Sequence, residues 1–321
     1  MPVPEKRAAR QAEPVKDLAD EYLERHAKAK KKSWREDQQM LNKDVLPAWG
    51  NRKAREITRR DVTKLIESIS DRGAPIRANR TLSLLSRMFR YAIGKGIIDA
   101  SPCVAIEKPG KERKRTRSLT ADEVKDLWPK LSPESAISMD VRIRLILRLA
   151  LATGQRVGEC RQIEWNEVDG QWWTIPAEKR KRTEDSETGE HRVFLNSHAL
   201  DVLKTAKVLS DGCRYALPSP HGDKPITINA VPRAVSRNLE ALGLSDFQAK
   251  DLRRTASTHM AEIGIPDPDI RRVQGHALDG MGRIYNVYHY DKEKRRALQK
   301  WDRRLREIIT GKKGGKVVAL R

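Results

Sequence analysis

The sequence predicts a mainly α fold with a small β-sheet, divided between a helical N-terminal domain and a mixed α/β second domain. Three observations carry that expectation. Apolar residues recur at helical spacing along most of the chain. Only two short runs, Trp172 to Ile175 and Arg192 to Leu195, have the character of strands. The stretch Lys108 to Arg117, Lys-Pro-Gly-Lys-Glu-Arg-Lys-Arg-Thr-Arg, has no apolar residue and no period, so it reads as a linker that also suits phosphate contact. A chain of 321 residues is long enough for two separate cores.

In order along the chain, a polar start runs to Pro14, and Leu18, Tyr22 and Leu23 then share an apolar face. Trp34, Met40, Leu41 and Val45 continue toward Pro47 and Trp49. Thr58 and Asp61 form an N-cap and its partner for a helix that carries Val62, Leu65, Ile66 and Ile69 and ends at Gly73. Another helix, from about Pro75 to Gly94, places Leu82, Leu85, Met88, Phe89 and Ala92 at helical spacing. Four helices with short connections make a small bundle over residues 14–107. After the linker at 108–117, Thr120 and Glu123 form the capping-box pattern that opens the second domain, residues 118–310. Its most apolar helix runs from Val141 to Ala152, ahead of the β region. Pro218, Pro220, Gly222 and Pro225 mark a loop, and the rest is helical to about Ile309. Residues 311–321 form a basic, Gly-rich tail ending in Val317, Val318 and Leu320.

The formal charge is +21. Residues 1–115 carry 28 Lys and Arg against 16 Asp and Glu, or +12, and the remaining 206 residues carry +9. Both parts therefore suit an anionic polymer gripped through phosphate contacts, with double-stranded DNA as the expected partner. The three cysteines, Cys103, Cys160 and Cys213, are an odd number with no Cys-x-x-Cys pair, which argues against a disulfide framework or a zinc site. The seven histidines show no metal-ligand cluster, so no metal or other cofactor is expected. No apolar run approaches the length of a membrane span, and Met1 to Pro14 is charged rather than signal-like, so a cytoplasmic setting is expected.

The residues with chemistry to offer lie in the second domain. Attack on a phosphodiester needs fixed cationic donors for its nonbridging oxygens, because nucleophile and target repel and charge builds as they meet. Arg156, in Thr153-Gly154-Gln155-Arg156-Val157-Gly158-Glu159, follows an apolar helix, where a turn presents it at the start of the next; Glu159 pairs with Arg161 or orients the local backbone. Arg253, ninety-seven residues later, lies in Lys250-Asp251-Leu252-Arg253-Arg254-Thr255. Gln274-Gly275-His276 follows, and Tyr285 comes nine residues after His276. A phenol with an unperturbed pKa near 10 needs surrounding cations or a base to become a nucleophile.

This set resembles the tyrosine recombinases, the phage integrase family, over roughly residues 14 to 309. The resemblance implies a C-shaped DNA clamp built from a helical, SAM-like core-binding domain and a catalytic domain. It implies that Arg156, Arg253 and His276 contact the scissile phosphate and that Tyr285 is the nucleophile. Both family spacings, nine residues after the histidine and about five before the aromatic that opens the last helix, Tyr290, select Tyr285 over Tyr288 and Tyr290. Lys250 departs from the usual histidine of the His-x-x-Arg motif and is a phosphate donor or a proton acceptor. Gln274 replaces the usual leucine. A hairpin lysine that protonates the departing 5′ oxygen aligns with Lys181 through Ile175-Pro176-Ala177-Glu178, with Lys179 as the alternative register.

The reaction so implied is site-specific recombination through a 3′-phosphotyrosine and a Holliday junction. It integrates or excises a phage or mobile element and needs no ATP. A homotetramer on DNA attachment sites follows from the resemblance, with an accessory DNA-bending or directionality factor and a tail that docks on a neighbouring subunit. A type IB topoisomerase-like relaxing enzyme and a catalytically silent architectural DNA-binding protein are the alternatives. The stretch before Pro14 is too short for the separate arm-site domain of many phage integrases, so a compact recombinase, or a form lacking that domain, is expected.

Overall fold

The computed structural model describes residues 13–31, 33–112, 115–180, 189–276 and 289–312. The chain divides into two units, Met1–Arg115 and Thr116–Arg321. The first is built from four helical stretches. Helix α1 (Val15–Tyr22) runs on through a π-helical turn, Leu23–Ala27, to Lys28–Lys30. Helix α2 (Trp34–Met40) does the same through Leu41–Val45 to Leu46–Trp49. Helices α3 (Arg59–Asp71) and α4 (Pro75–Gly94) complete the bundle. The N-terminus of α3 is fixed by the reciprocal cap that its sequence announces: Asp61 N–H donates to Thr58 Oγ1 and Thr58 N–H to Asp61 Oδ2, at 3.2 and 2.8 Å. Leu18, Tyr22, Leu41, Val45, Ile66, Leu85, Met88 and Phe89 form one buried cluster. Asp44 is buried beside them. Burial would raise its carboxyl pKa, but hydrogen bonds from Arg72 and Arg77, each 2.6 Å long, hold it below the usual carboxylate range.

The second unit opens with α5 (Ala121–Lys130), capped by the Thr120–Glu123 box. Helix α6 (Val141–Thr153) is its centre, buried from Ile143 to Thr153 except at Arg148. Helix α7 (Val157–Cys160) follows after one turn. Strands β1 (Val168–Asp169), β2 (Trp172–Ile175) and β3 (His191–Phe194) form an antiparallel sheet in that order, with Trp172 opposite Phe194 and Ile175 opposite His191. Helix α8 (Ser197–Ser210) packs on α6, and Asn196 both caps α8 and donates to Ala152 O at 2.8 Å. The Pro218 to Pro225 stretch, expected as a loop, contains a two-stranded hairpin, β4 (Pro218–Ser219) with β5 (Gly222–Pro225). Two strands this short show no alternation in sequence, and their prolines are tolerated because neither strand lies inside a wider sheet.

Helices α9 (Ala230–Arg237), α10 (Leu239–Leu242), α11 (Asp251–Glu262), α12 (Asp267–Val273) and α13 (Asp291–Thr310) complete the unit. The last is tied to the core by Trp301, whose indole N–H donates to Leu151 O at 3.0 Å and whose ring stacks on His259. Among the described residues no helix is long and apolar enough to cross a membrane.

Candidate active site

Helix α6 ends at Gly154, whose φ of 68° lies in the left-handed region that suits glycine. The reversal leaves Arg156 extended, as N-cap of α7. Buried Glu159 holds it there: the Arg156 backbone N–H donates to Glu159 Oε2 at 3.2 Å, and Nη1 to Oε1 at 3.0 Å. Of the two sequence expectations for Glu159, backbone orientation is the one realised. Arg161 donates instead to Ile226 O at 2.6 Å.

Arg253 lies on the first turn of α11 and crosses to two other segments. Its Nη1 donates to Gly154 O at 3.1 Å, and its Nη2 to Gln274 O at 2.6 Å and to His276 Nε2 at 3.0 Å. A guanidinium only donates, so His276 Nε2 accepts and the imidazole proton sits on Nδ1. The Arg253 Nε–H and one Nη1–H have no hydrogen-bond partner among the described residues. Burial, followed by the charge of Arg156, pushes the Arg253 pKa down to about 9, which still leaves it protonated at neutral pH.

Gln274-Gly275-His276 forms the C-terminal cap of α12. The His276 N–H donates to Arg271 O and the Gly275 N–H to Arg272 O, with Gly275 at φ 62°: a Schellman motif, which accounts for the Gly-His pair. Gln274, in place of leucine, donates from Nε2 to Arg253 O at 3.0 Å, so it and Arg253 hold each other reciprocally. Sequence reasoning missed two further supports. Buried Gln155, an unassigned position within its motif, donates from Nε2 to Val273 O at 2.7 Å, and buried His191 meets the same carbonyl at 3.0 Å. A carbonyl only accepts, so His191 carries its proton on Nε2. Burial, with Lys294 and Arg180 nearby, pushes its pKa well below the ordinary histidine value. Gln155 and His191 both sit among polar neighbours in the sequence, Thr153 to Arg156 and Glu190 to Arg192, so neither carries a signal until its burial is known.

At the root of the β2–β3 hairpin, Lys179 donates to Glu164 Oε1 at 2.6 Å, to Gln162 O at 2.9 Å and to Glu167. Both carboxylates are buried. Lys179 thus neutralises charges that would be costly alone. Lys250 is exposed one turn before Arg253, beside a cavity of about 400 Å³ lined by Val235, Leu239 and Phe247. Tyr290 opens α13 at φ 54°, its ring 3.6 Å from the Arg272 guanidinium. Lys181, Tyr285 and Tyr288 lie outside the described residues, as does the tail from Lys313. Among the described residues, no three His, Cys, Asp or Glu are grouped to hold a metal ion.

The structure therefore brings Arg156, Arg253 and His276 to one surface, where cationic and imidazole groups are held by buried partners and can receive an anion. Comparison with known proteins agrees. The model of the phage integrase family matches residues 117–292, and that of the phage integrase central domain matches residues 15–109. Prophage integrase IntA of Escherichia coli (strain K12) is 30% identical over 270 residues, 81% of this chain and 62% of that protein. This chain spans less than two thirds of the length of such relatives. Among solved structures, a lambda integrase (75–356) dimer bound to a COC′ core site superposes with TM-score 0.66 at 21% identity, covering 84% of this chain and 97% of that one. A lambda integrase tetramer bound to a Holliday junction gives 0.65 at 22% identity, covering 87% and 82%.

Proposed function

The chain belongs to the phage integrase family, and from that premise we propose that it is a site-specific tyrosine recombinase that cuts and rejoins double-stranded DNA at attachment sites. The observation that carries the reading is the Arg253 guanidinium, fixed by two carbonyls and bonded to His276, with the Arg156 charge beside it. Arg156, Arg253 and His276 hold the nonbridging oxygens of the scissile phosphate. Lys250, exposed one turn before Arg253, adds a cation to the same group as a donor. Tyr285 gives up its phenol proton to solvent, its anion favoured by the surrounding cations, and attacks phosphorus; the Tyr285 oxygen–phosphorus bond forms, the bond to the 5′ oxygen breaks, and the leaving oxygen takes a proton from Lys181. Lys181 is preferred because Lys179 is committed to Glu164 and Glu167. The freed 5′ hydroxyl of a partner strand then attacks the 3′-phosphotyrosine, so bond energy is conserved and no ATP is consumed.

The strong positive charge supports a DNA grip by the core-binding and catalytic domains together, in the clamp expected from the family. The relatives solved on a core site and on a Holliday junction support action as a homotetramer through a junction intermediate. A cytoplasmic setting and a bending or directionality factor that biases the outcome belong to the same reading, as expected from the family resemblance alone. The test is a suicide substrate nicked near the cleavage point. Wild type should accumulate a denaturation-resistant protein–DNA adduct with the phosphate on Tyr285. Tyr285→Phe should abolish the adduct and keep site binding, while Tyr288→Phe and Tyr290→Phe retain it. An adduct persisting in Tyr285→Phe overturns the assignment. Strand transfer between two site-bearing duplexes separates recombination from relaxation of one.

A further inference from the structure

Three consecutive carbonyls lead into His276, and each is held by a different segment of the second unit. Val273 O accepts from Gln155 and His191, Gln274 O from Arg253, and Gly275 O from Arg180 Nη2 at 2.7 Å. The last contact stands apart, because Arg180 sits at the base of a hairpin, where an arginine is expected at the surface. It is 3% exposed. Its Nη1 donates to Gly189 O at 2.8 Å, joining the two ends of the segment between residues 180 and 189. One planar guanidinium therefore ties the base of the β2–β3 hairpin to the peptide that carries His276. The fit is close: a Cβ on Gly275 would lie 2.8 Å from Arg180 Nη2 and 3.1 Å from the His191 ring.

We propose that Arg180 is a positioning residue for strand cleavage, fixing the Gly275 carbonyl and through it the His276 imidazole, so that the hairpin base and the Arg253–His276 pair are set as one unit. The proposal deepens the recombinase reading and rests on it. The chemistry favours arginine here. A guanidinium presents parallel N–H donors in a fixed fork and can hold two carbonyls at a set separation, whereas an ammonium is a point donor on a flexible stem. Displacement of a reacting group by about 1 Å costs on the order of a hundredfold in rate. A carbonyl adjacent to the histidine is well placed to cause or prevent such a displacement. The neighbouring residue Lys179 is anchored to a different segment, at Glu164 and Glu167, so the chain enters the hairpin held at two consecutive residues.

A double-mutant cycle on saturating suicide DNA tests this, scored by adduct formation rate, by DNA affinity, and by the His276 ring signals in NMR. Arg180→Met should slow adduct formation about ten- to a hundredfold with affinity within about twofold, and should move the His276 signals. In a His276→Ala background the same change should slow adduct formation no further, because coupled residues are non-additive. Arg180→Lys should recover part of the rate. If Arg180→Met does not fold, Arg180→Lys carries the same cycle. Unmoved His276 signals, an equal loss in the His276→Ala background, or a loss that tracks affinity would overturn the proposal. Moved signals without any wild-type adduct on a verified site would instead count against the recombinase reading alone.

Discussion

Arg253 shows how much a single residue can reveal by spacing and how much only packing can add. Its position after Thr-Gly-x-Arg and before Gly-His was legible, because the family motif preserves local order. Its hold on Gly154 O and Gln274 O was not, since backbone carbonyls leave no mark in a sequence. The same holds for Gln274, a departure from the family pattern until its bond to Arg253 O is seen. Gln274→Leu should therefore cost about 1 kcal/mol of stability, the net value of one hydrogen bond, measurable by urea unfolding, with a smaller effect on cleavage than loss of Arg253. Arg156→Ala and Arg253→Ala should each lower adduct formation by at least about a hundredfold, the scale of one preorganised donor, with little change in DNA affinity. Equal losses of binding and cleavage would make them grip residues. Lys250→Met should reduce cleavage and Lys250→His retain it; full activity in Lys250→Met would remove Lys250 from the site.

At the scale of elements, what was legible was what local chemistry dictates. The Thr58–Asp61 and Thr120–Glu123 caps formed as their sequences require, and α6 was visible as the most apolar helix of its domain despite Arg142, Arg144 and Arg148. The β4–β5 hairpin was not, because its strands are too short to carry a period. Nor was the burial of His191 on β3, where alternation tells which face a residue occupies but not what covers it. That burial has a pH consequence. His191 is neutral in the fold, with a pKa well below the ordinary value of about 6.5. The unfolded chain binds a proton near pH 6.5 that the native state refuses. Stability from this residue is therefore complete above about pH 6.5 and is lost as pH falls from there toward the depressed native value, at no more than about 1.4 kcal/mol per unit. Urea unfolding at pH 7.5, 6.5 and 5.5 should show that loss in wild type and a shallower one in His191→Leu. Parallel slopes would mean that the folded imidazole takes up its proton over the same pH range as in the unfolded chain.

For the whole molecule, charge sets the terms. The two units hold separate cores, and 65 Lys and Arg against 44 Asp and Glu leave a surplus too large for intramolecular pairing to consume. Much of the acidic complement is already committed to holding the fold: Asp44 to Arg72 and Arg77, Glu164 to Lys179 and Arg214, Asp302 to His198 and Arg306. The cations left over are those available to phosphates. Each phosphate neutralised releases condensed counterions, so the logarithm of affinity for duplex DNA should fall linearly with the logarithm of salt, with a slope of about −0.9 per contact. A clamp contributed by both domains should make six or more such contacts, and affinity should then drop by about a thousandfold or more between 50 and 200 mM salt. Residues 13–115 alone should show a shallower slope than the full chain, because fewer phosphates are reached. Fluorescence anisotropy on one duplex across a salt series measures both slopes. A nearly flat dependence in the full chain would remove the clamp, whereas equal slopes for fragment and full chain would confine the grip to the N-terminal unit.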